Sequence, residues 1–69
     1  MKRIAIITPT NKDFIEFVYT YANEYRRIKQ VLWRTTFNID DLCLLYYVES
    51  VDATRGVRYD FYINLMYRH

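Results

Sequence analysis

Two short stretches hold the residue types that could do chemistry. The first is Thr8, Thr10, Asn11 and Lys12, gathered around the single proline, Pro9. Hydroxyls, an amide and an ammonium at the start of a helix are donors that could hold an anion. The second is Arg55, Gly56, Arg58 and Asp60, which contains the only glycine of the chain. Arginine grips phosphate or carboxylate through its planar fork of donors. Placed side by side, the two loops would form a basic, polar patch for a phosphate ligand or a partner's carboxylate. The same residues also have an ordinary reading. Thr10 or Asn11 can cap a helix, and Gly56 can adopt a positive φ to close a turn. The arginines are then solvated, or pair with Asp52 or Asp60.

A third group is Arg26, Arg27, Lys29 and Arg34, beside Tyr25 and Trp33. Arginine next to aromatic rings can track a nucleic-acid backbone and stack bases. Basic residues are also simply favoured where a helix ends.

Catalysis is not expected. The one histidine, His69, is the last residue, and the one serine, Ser50, has no histidine near it in sequence. Asp40 and Asp41 are adjacent, which suits a turn better than a pair of acid and base. The lone Cys43 sits in "LCLLYY" and reads as a small core residue. One cysteine and one histidine cannot make a zinc-finger ligand set or a disulfide. A Walker A loop needs glycines ahead of a lysine and a hydroxyl residue, and "TPTNKD" has none. No cofactor or metal is expected.

The elements that must carry these residues read as follows. "RIAII", residues 3–7, is a short β-branched run suited to a strand buried on both faces. After Pro9, Thr10 as cap and Asp13 three residues on form a capping-box-like pair. Residues 11–30 then predict one long helix. Phe14, Phe17, Val18, Tyr21, Tyr25 and Ile28 fall on one stripe, with Asp13, Glu16, Thr20, Asn23, Glu24 and Arg27 opposite. "VLWRTTF", 31–37, predicts a strand, "NIDD", 38–41, a turn, and "LCLLYYVE", 42–49, the second strand of a hairpin. The competing reading is a short helix starting at Asp40 or Asp41. "SVDATRG" predicts a loop or one helical turn. "VRYDFYINLMYR" alternates, with Tyr59, Phe61, Ile63, Leu65 and Tyr67 on one side and Arg58, Asp60, Tyr62, Asn64 and Met66 on the other.

"IAIITPTN" resembles the motif Ia strand and loop of helicases and phage terminase large subunits. "TRGVRYDFYIN" resembles the arginine–glycine turn and Walker B strand of the same ATPases. The hairpin region between them is similar in position to a terminase hairpin. The chain departs from that pattern where the chemistry sits. No Walker A loop precedes the first motif, and Asn64 and Leu65 stand where the acidic pair would fall. The resemblance therefore implies an α/β core fragment without ATPase activity, of the kind found in small phage accessory proteins.

Bulk properties bound the rest. A chain of 69 residues makes at most one small domain, here 1–69, burying roughly 60% of its unfolded surface. With 52% hydrophobic residues, it is too apolar for a disordered chain. Its eight tyrosines exceed what a minimal core requires and suggest a contact surface. The net charge of +2 permits nucleic-acid contact without arguing for it. The apolar run after "MKR" is too short for a signal peptide, and no segment reaches the length of a membrane span. A soluble, cytoplasmic protein is expected. The fold expected is α/β (α+β), in the order β-α-β-β-β, with a mixed sheet of three or four strands and one long helix on one face. Tyr46, Tyr47, Tyr62 and Met66 are candidates for the uncovered face. Such a face favours a homodimer or a protein partner. Nucleic acid is the alternative partner, and a bound nucleotide or phosphate a weaker one.

Overall fold

The computed structural model describes residues 1–22 and 27–66. Among these residues it has a mixed α/β architecture, with one α-helix and one five-stranded sheet. The elements are β1 (Lys2–Ile7), α1 (Asn11–Tyr21), β2 (Ile28–Leu32), β3 (Thr36–Ile39), β4 (Cys43–Val48) and β5 (Phe61–Asn64). The sheet order is β2-β3-β4-β1-β5. β1 runs parallel to both β4 and β5, and β2, β3 and β4 form an antiparallel meander. The sheet is mixed, as expected, with one strand more than the sequence suggests.

β1 occupies the position its composition predicts. Ile4 and Ile6 face the helix, packing among Phe14, Val18, Phe37, Ile39 and Leu45. Ala5 and Ile7 face the other way and meet Val48 under Tyr59 and Met66. A strand buried on both faces explains the nearly unbroken apolar run.

α1 begins as the sequence predicts. Thr10 is the N-cap, with extended backbone, and its hydroxyl accepts from the Asp13 N–H at 3.1 Å and donates to Asp13 Oδ2 at 2.9 Å. The helix ends far sooner than residue 30. Ala22 is its C-cap, and Ile28, Lys29 and Gln30 belong to β2. The Asn23, Glu24, Tyr25 and Arg26 part of the predicted helix lies outside the described residues, as does Tyr67. Ile28 satisfies a helical stripe, but it equally satisfies a strand partner. The Ile28↔Ile39 pairing decides in favour of the strand.

The predicted strand 31–37 is broken in two. Thr35 N–H donates to the Leu32 carbonyl at 3.1 Å, which closes a turn through Trp33 and Arg34. Arg34 has φ 58°, and its N–H is held by the Gln30 side chain at 2.5 Å. Asn38 and Ile39 are strand rather than turn. The next reversal is centred on Asp40 and Asp41, both with positive φ, closed by Leu42 N–H to the Ile39 carbonyl at 2.9 Å. Two successive positive φ values turn the chain in the hand that suits a hairpin, aspartate tolerates them, and the ladder closes around residues 40–42 at Ile39↔Cys43. The reading of a helix starting there is thereby excluded, because β4 follows directly.

After β4 the chain makes a short 3-10 turn, Asp52–Thr54, and passes Gly56 at φ 78°. The paired part of the last strand is confined to Phe61–Asn64.

Candidate functional site

The helix-free face of the sheet carries a connected group of one arginine and three tyrosines. Arg3 points to this face because its neighbours Lys2 and Ile4 point to the other. Tyr46 lies across from Ala5 in the parallel β4 ladder, and Tyr62 across from Ala5 in β5. Ala5 is the small floor between two large rings. Tyr59 completes the group by standing edge-on to both, with centroids 5.4 Å from Tyr46 and 5.6 Å from Tyr62. The Arg3 guanidinium lies over Tyr46 at 5.3 Å and Tyr59 at 5.9 Å, and its Nε donates to the Tyr46 hydroxyl at 3.4 Å.

Asp60 fixes the entrance to β5. Its carboxylate accepts from the Arg3 backbone N–H at 2.8 Å, and its own N–H donates to the Arg3 carbonyl at 2.7 Å. This double link reverses the expected facing of Tyr59. Alternation predicts it beside Phe61, Ile63 and Leu65, but the chain before Phe61 is not strand, and the ring turns onto Ala5, Ile7 and Val48. Tyr47 also needs correcting. It faces the helix, with its ring 5.5 Å from Phe14, and does not belong to the uncovered face. Its register partner is Ile6, a residue of the helix-side core. Tyr46 and Tyr62 are on the expected face. Met66 is too, but half-buried against the small second core.

The electrostatics follow from this packing. The Tyr46 hydroxyl bond pushes the Arg3 guanidinium further above its ordinary value. Partial burial pushes the Tyr59 phenol up, opposed by Arg3 and reinforced by Tyr46 and Tyr62. Tyr47 is pushed up by burial, then by Glu49 and Asp13. Burial raises the Cys43 thiol against a hydrogen bond with Tyr21. Each raised value means that the fold prefers the protonated form. The stability these groups contribute is complete below their unfolded values and is lost as pH rises through the folded ones. The melting temperature is expected to fall from about pH 9–10 upward. Tyr59→Phe and Tyr47→Phe together should blunt that fall in a pH-resolved thermal melt. A wild-type curve flat beyond about pH 11 would contradict the burial of these phenols.

The anion patch expected from the first two loops is not assembled. Thr8 is fully buried and its hydroxyl donates to the Thr10 carbonyl at 3.0 Å. Thr10 is occupied by the helix cap. Asn11 is committed to the β2–β3 turn, donating to the Arg34 carbonyl at 2.6 Å and accepting from Arg34 Nε at 2.9 Å. Lys12 is exposed. Arg55 reaches back to Asp52 at 3.5 Å, both well exposed. Asp60 and its neighbour Arg58 lie at the N-terminal end of β1, whereas Thr8–Lys12 leave its C-terminal end. Among the described residues, no hydrogen bond or ion pair joins the two loops. Gly56 serves its turn, with open space where a side chain would stand.

A cavity of about 240 Å³ does lie beyond the C-terminal ends of β1 and β5, lined by Thr8, Pro9, Asp13, Glu16, Leu65 and Met66. That is the usual place for a ligand in an open α/β sheet. Its charged walls are two carboxylates, the wrong sign for phosphate.

The basic cluster is dispersed. Arg26 lies outside the described residues. Arg27 stands 3.5 Å from Asp40, and Lys29 is exposed on edge strand β2. Trp33 and Arg34 occupy the tip of the β2–β3 hairpin, with Arg34 over the indole at 5.4 Å and Trp33 77% exposed. α1 has no basic residue in its last turn, so the dipole does not account for this cluster.

Sequence reasoning missed Arg3 and Tyr59. The signal for Arg3 was present: it is the one charged residue within "RIAII", out of phase with Ile4 and Ile6. Among the described residues, no group of three or more His, Cys, Asp or Glu could hold a metal ion, and no helix is long and apolar enough to cross a membrane. No protein-family model, curated protein or solved structure matches the chain.

Proposed function

We propose that the chain is a non-enzymatic protein-binding module, and that its docking surface is the Arg3–Tyr46–Tyr59–Tyr62 patch. The observation that supports this is the arrangement of an exposed arginine over rings already locked edge to face. Arginine and tyrosine are the residues that dominate protein interfaces, and rings held in place lose little freedom on binding. The resemblance to terminase and helicase segments adds a partner class, a phage or host nucleic-acid machine acting in the cytoplasm. In that setting the chain would regulate rather than catalyse.

A second reading has its own observation. Trp33 with Arg34 above it, at the exposed tip of the hairpin whose first strand carries Lys29, is a ring and cation arrangement suited to single-stranded nucleic acid. The two readings differ in salt response. Nucleic-acid binding weakens steeply as salt rises because counterions are released. Binding by the tyrosine patch should survive nuclease treatment and high salt. Arg3→Ala should lower affinity for a captured protein by about 30-fold, a loss on the hot-spot scale, while Trp33→Ala leaves it unchanged. Tight oligonucleotide binding, lost in Trp33→Ala and with salt but intact in Arg3→Ala, would reverse the order.

A further inference from the structure

The two outer strands of the sheet differ in how they meet solvent. β2 carries Lys29 and a register shift between Gln30 and Leu32. Both are devices that discourage another strand from adding to an edge. β5, "FYIN", has no charge, no proline and a regular register with β1 from Phe61 to Asn64. Its two largest side chains lie uncovered on opposite faces, Phe61 at 54% and Tyr62 at 51% exposure. A strand added at this edge would cover both rings at once.

The charges around β5 select the occupant. At its N-terminal end stand Lys2, with Nζ 5.9 Å from the Phe61 ring, and Arg3. At its C-terminal end, Asp13 and Glu16 share a cavity with Leu65 and Met66. Asp60 also stands at the N-terminal end, its carboxylate held by the Arg3 backbone N–H, so against Lys2 and Arg3 that end is net basic, and the other end is acidic. An antiparallel strand from the same protein presents the opposite order, so each basic end meets an acidic end. A uniformly acidic or basic peptide could satisfy only one end.

We propose that two copies of the chain pair antiparallel through β5, about a two-fold axis at Tyr62. An axis normal to the sheet keeps both helices on one side. Residues that face each other must then share a face of the sheet. Centring on Tyr62 sets the two Tyr62 side chains opposite each other. It also sets Phe61 of each copy against Ile63 of the other. Aromatic–aromatic and aromatic–β-branched pairs are among the favourable cross-strand pairs. The contact is isologous and closes on itself, so it stops at two copies. It also joins the two tyrosine patches into one platform, yet it stands whether or not those patches bind a protein.

Sedimentation equilibrium of the full chain tests this. A dimer is expected at low salt, weakening as salt screens the end-to-end charges. Tyr62→Lys places two like charges opposite each other and should raise the dimer dissociation constant at least about tenfold. Phe61→Lys, on the other face, should weaken the dimer in the same direction. Tyr62→Cys should form a disulfide-linked dimer on mild oxidation, while Tyr19→Cys, exposed on α1, should not. Circular dichroism of each variant checks that the fold is kept. A wild-type chain monomeric at every concentration overturns the proposal. So does a dimer that Tyr62→Lys leaves intact and Tyr62→Cys fails to cross-link.

Discussion

Phe14→Ala is expected to cost the fold about 3–5 kcal/mol, the largest loss of any single truncation argued for this chain. Phe14 is fully buried, and its ring lies 5.9 Å from Phe37 and 5.5 Å from Tyr47. It therefore ties α1 to both β3 and β4. The helix has 11 residues and only Phe14 and Val18 of it are buried. An isolated helix of that length is not stable in water, so it depends on this contact. Truncating a buried phenylalanine to alanine costs about 3–5 kcal/mol. A domain of this size has roughly 3–10 kcal/mol in total. The substitution removes a large share of that, and at the low end all of it. Phe14→Leu keeps most of the volume and should lose much less. Urea unfolding followed by circular dichroism measures both. A loss under about 1 kcal/mol for Phe14→Ala would mean that the helix is held by something other than this ring.

What was legible in the sequence, and what was not, divides along a physical line. Local signals were read well. "RIAII" folds as a strand buried on both faces, Thr10 and Asp13 cap α1, Gly56 takes its positive φ, and Asp40–Asp41 reverse the chain. Each depends on residues within a few positions of one another. The misreadings depend on partners distant in sequence. Ile28 fits a helix stripe equally well, and only Ile39 settles its strand. Trp33–Thr35 contains neither glycine nor proline, so nothing local announces the turn that Leu32, Gln30 and Asn11 stabilise. Tyr47 and Tyr46 are adjacent, and the sequence does not say which of them lies under the helix. The register Ile6↔Tyr47 does. The candidate site follows the same rule. Its tyrosines were partly visible as a surplus of aromatic residues. Arg3, more than 40 residues before Tyr46, becomes part of the site only because β1 pairs with β4 in parallel.

Tyr59→Ala is expected to damage stability and recognition together, while Tyr59→Phe damages neither to the same degree. The Tyr59 ring covers Ala5, Ile7 and Val48, the small core on the face that α1 does not reach. It also holds Tyr46 and Tyr62 apart in edge contacts and supports the Arg3 guanidinium. Its removal exposes the apolar floor and forfeits two ring contacts worth about 0.5–1.5 kcal/mol each. A total loss of about 2 kcal/mol follows for this half-buried residue, smaller than for Phe14 because water already reaches one side. Phenylalanine preserves the cover, both edge contacts and the cation–ring contact. It should stay within about 0.5 kcal/mol of wild type and keep the affinity for a partner. Alanine should lower that affinity by about tenfold or more even where the variant remains folded, because Arg3 loses one of the two rings beneath it. Thermal unfolding beside a binding titration separates the two effects. A double-mutant cycle with Arg3→Ala should show a coupling of about 0.5–2 kcal/mol in binding. Additive losses would mean that Arg3 and Tyr59 act separately. The patch would then be a cover for the second core, and the protein-binding reading would lose its site.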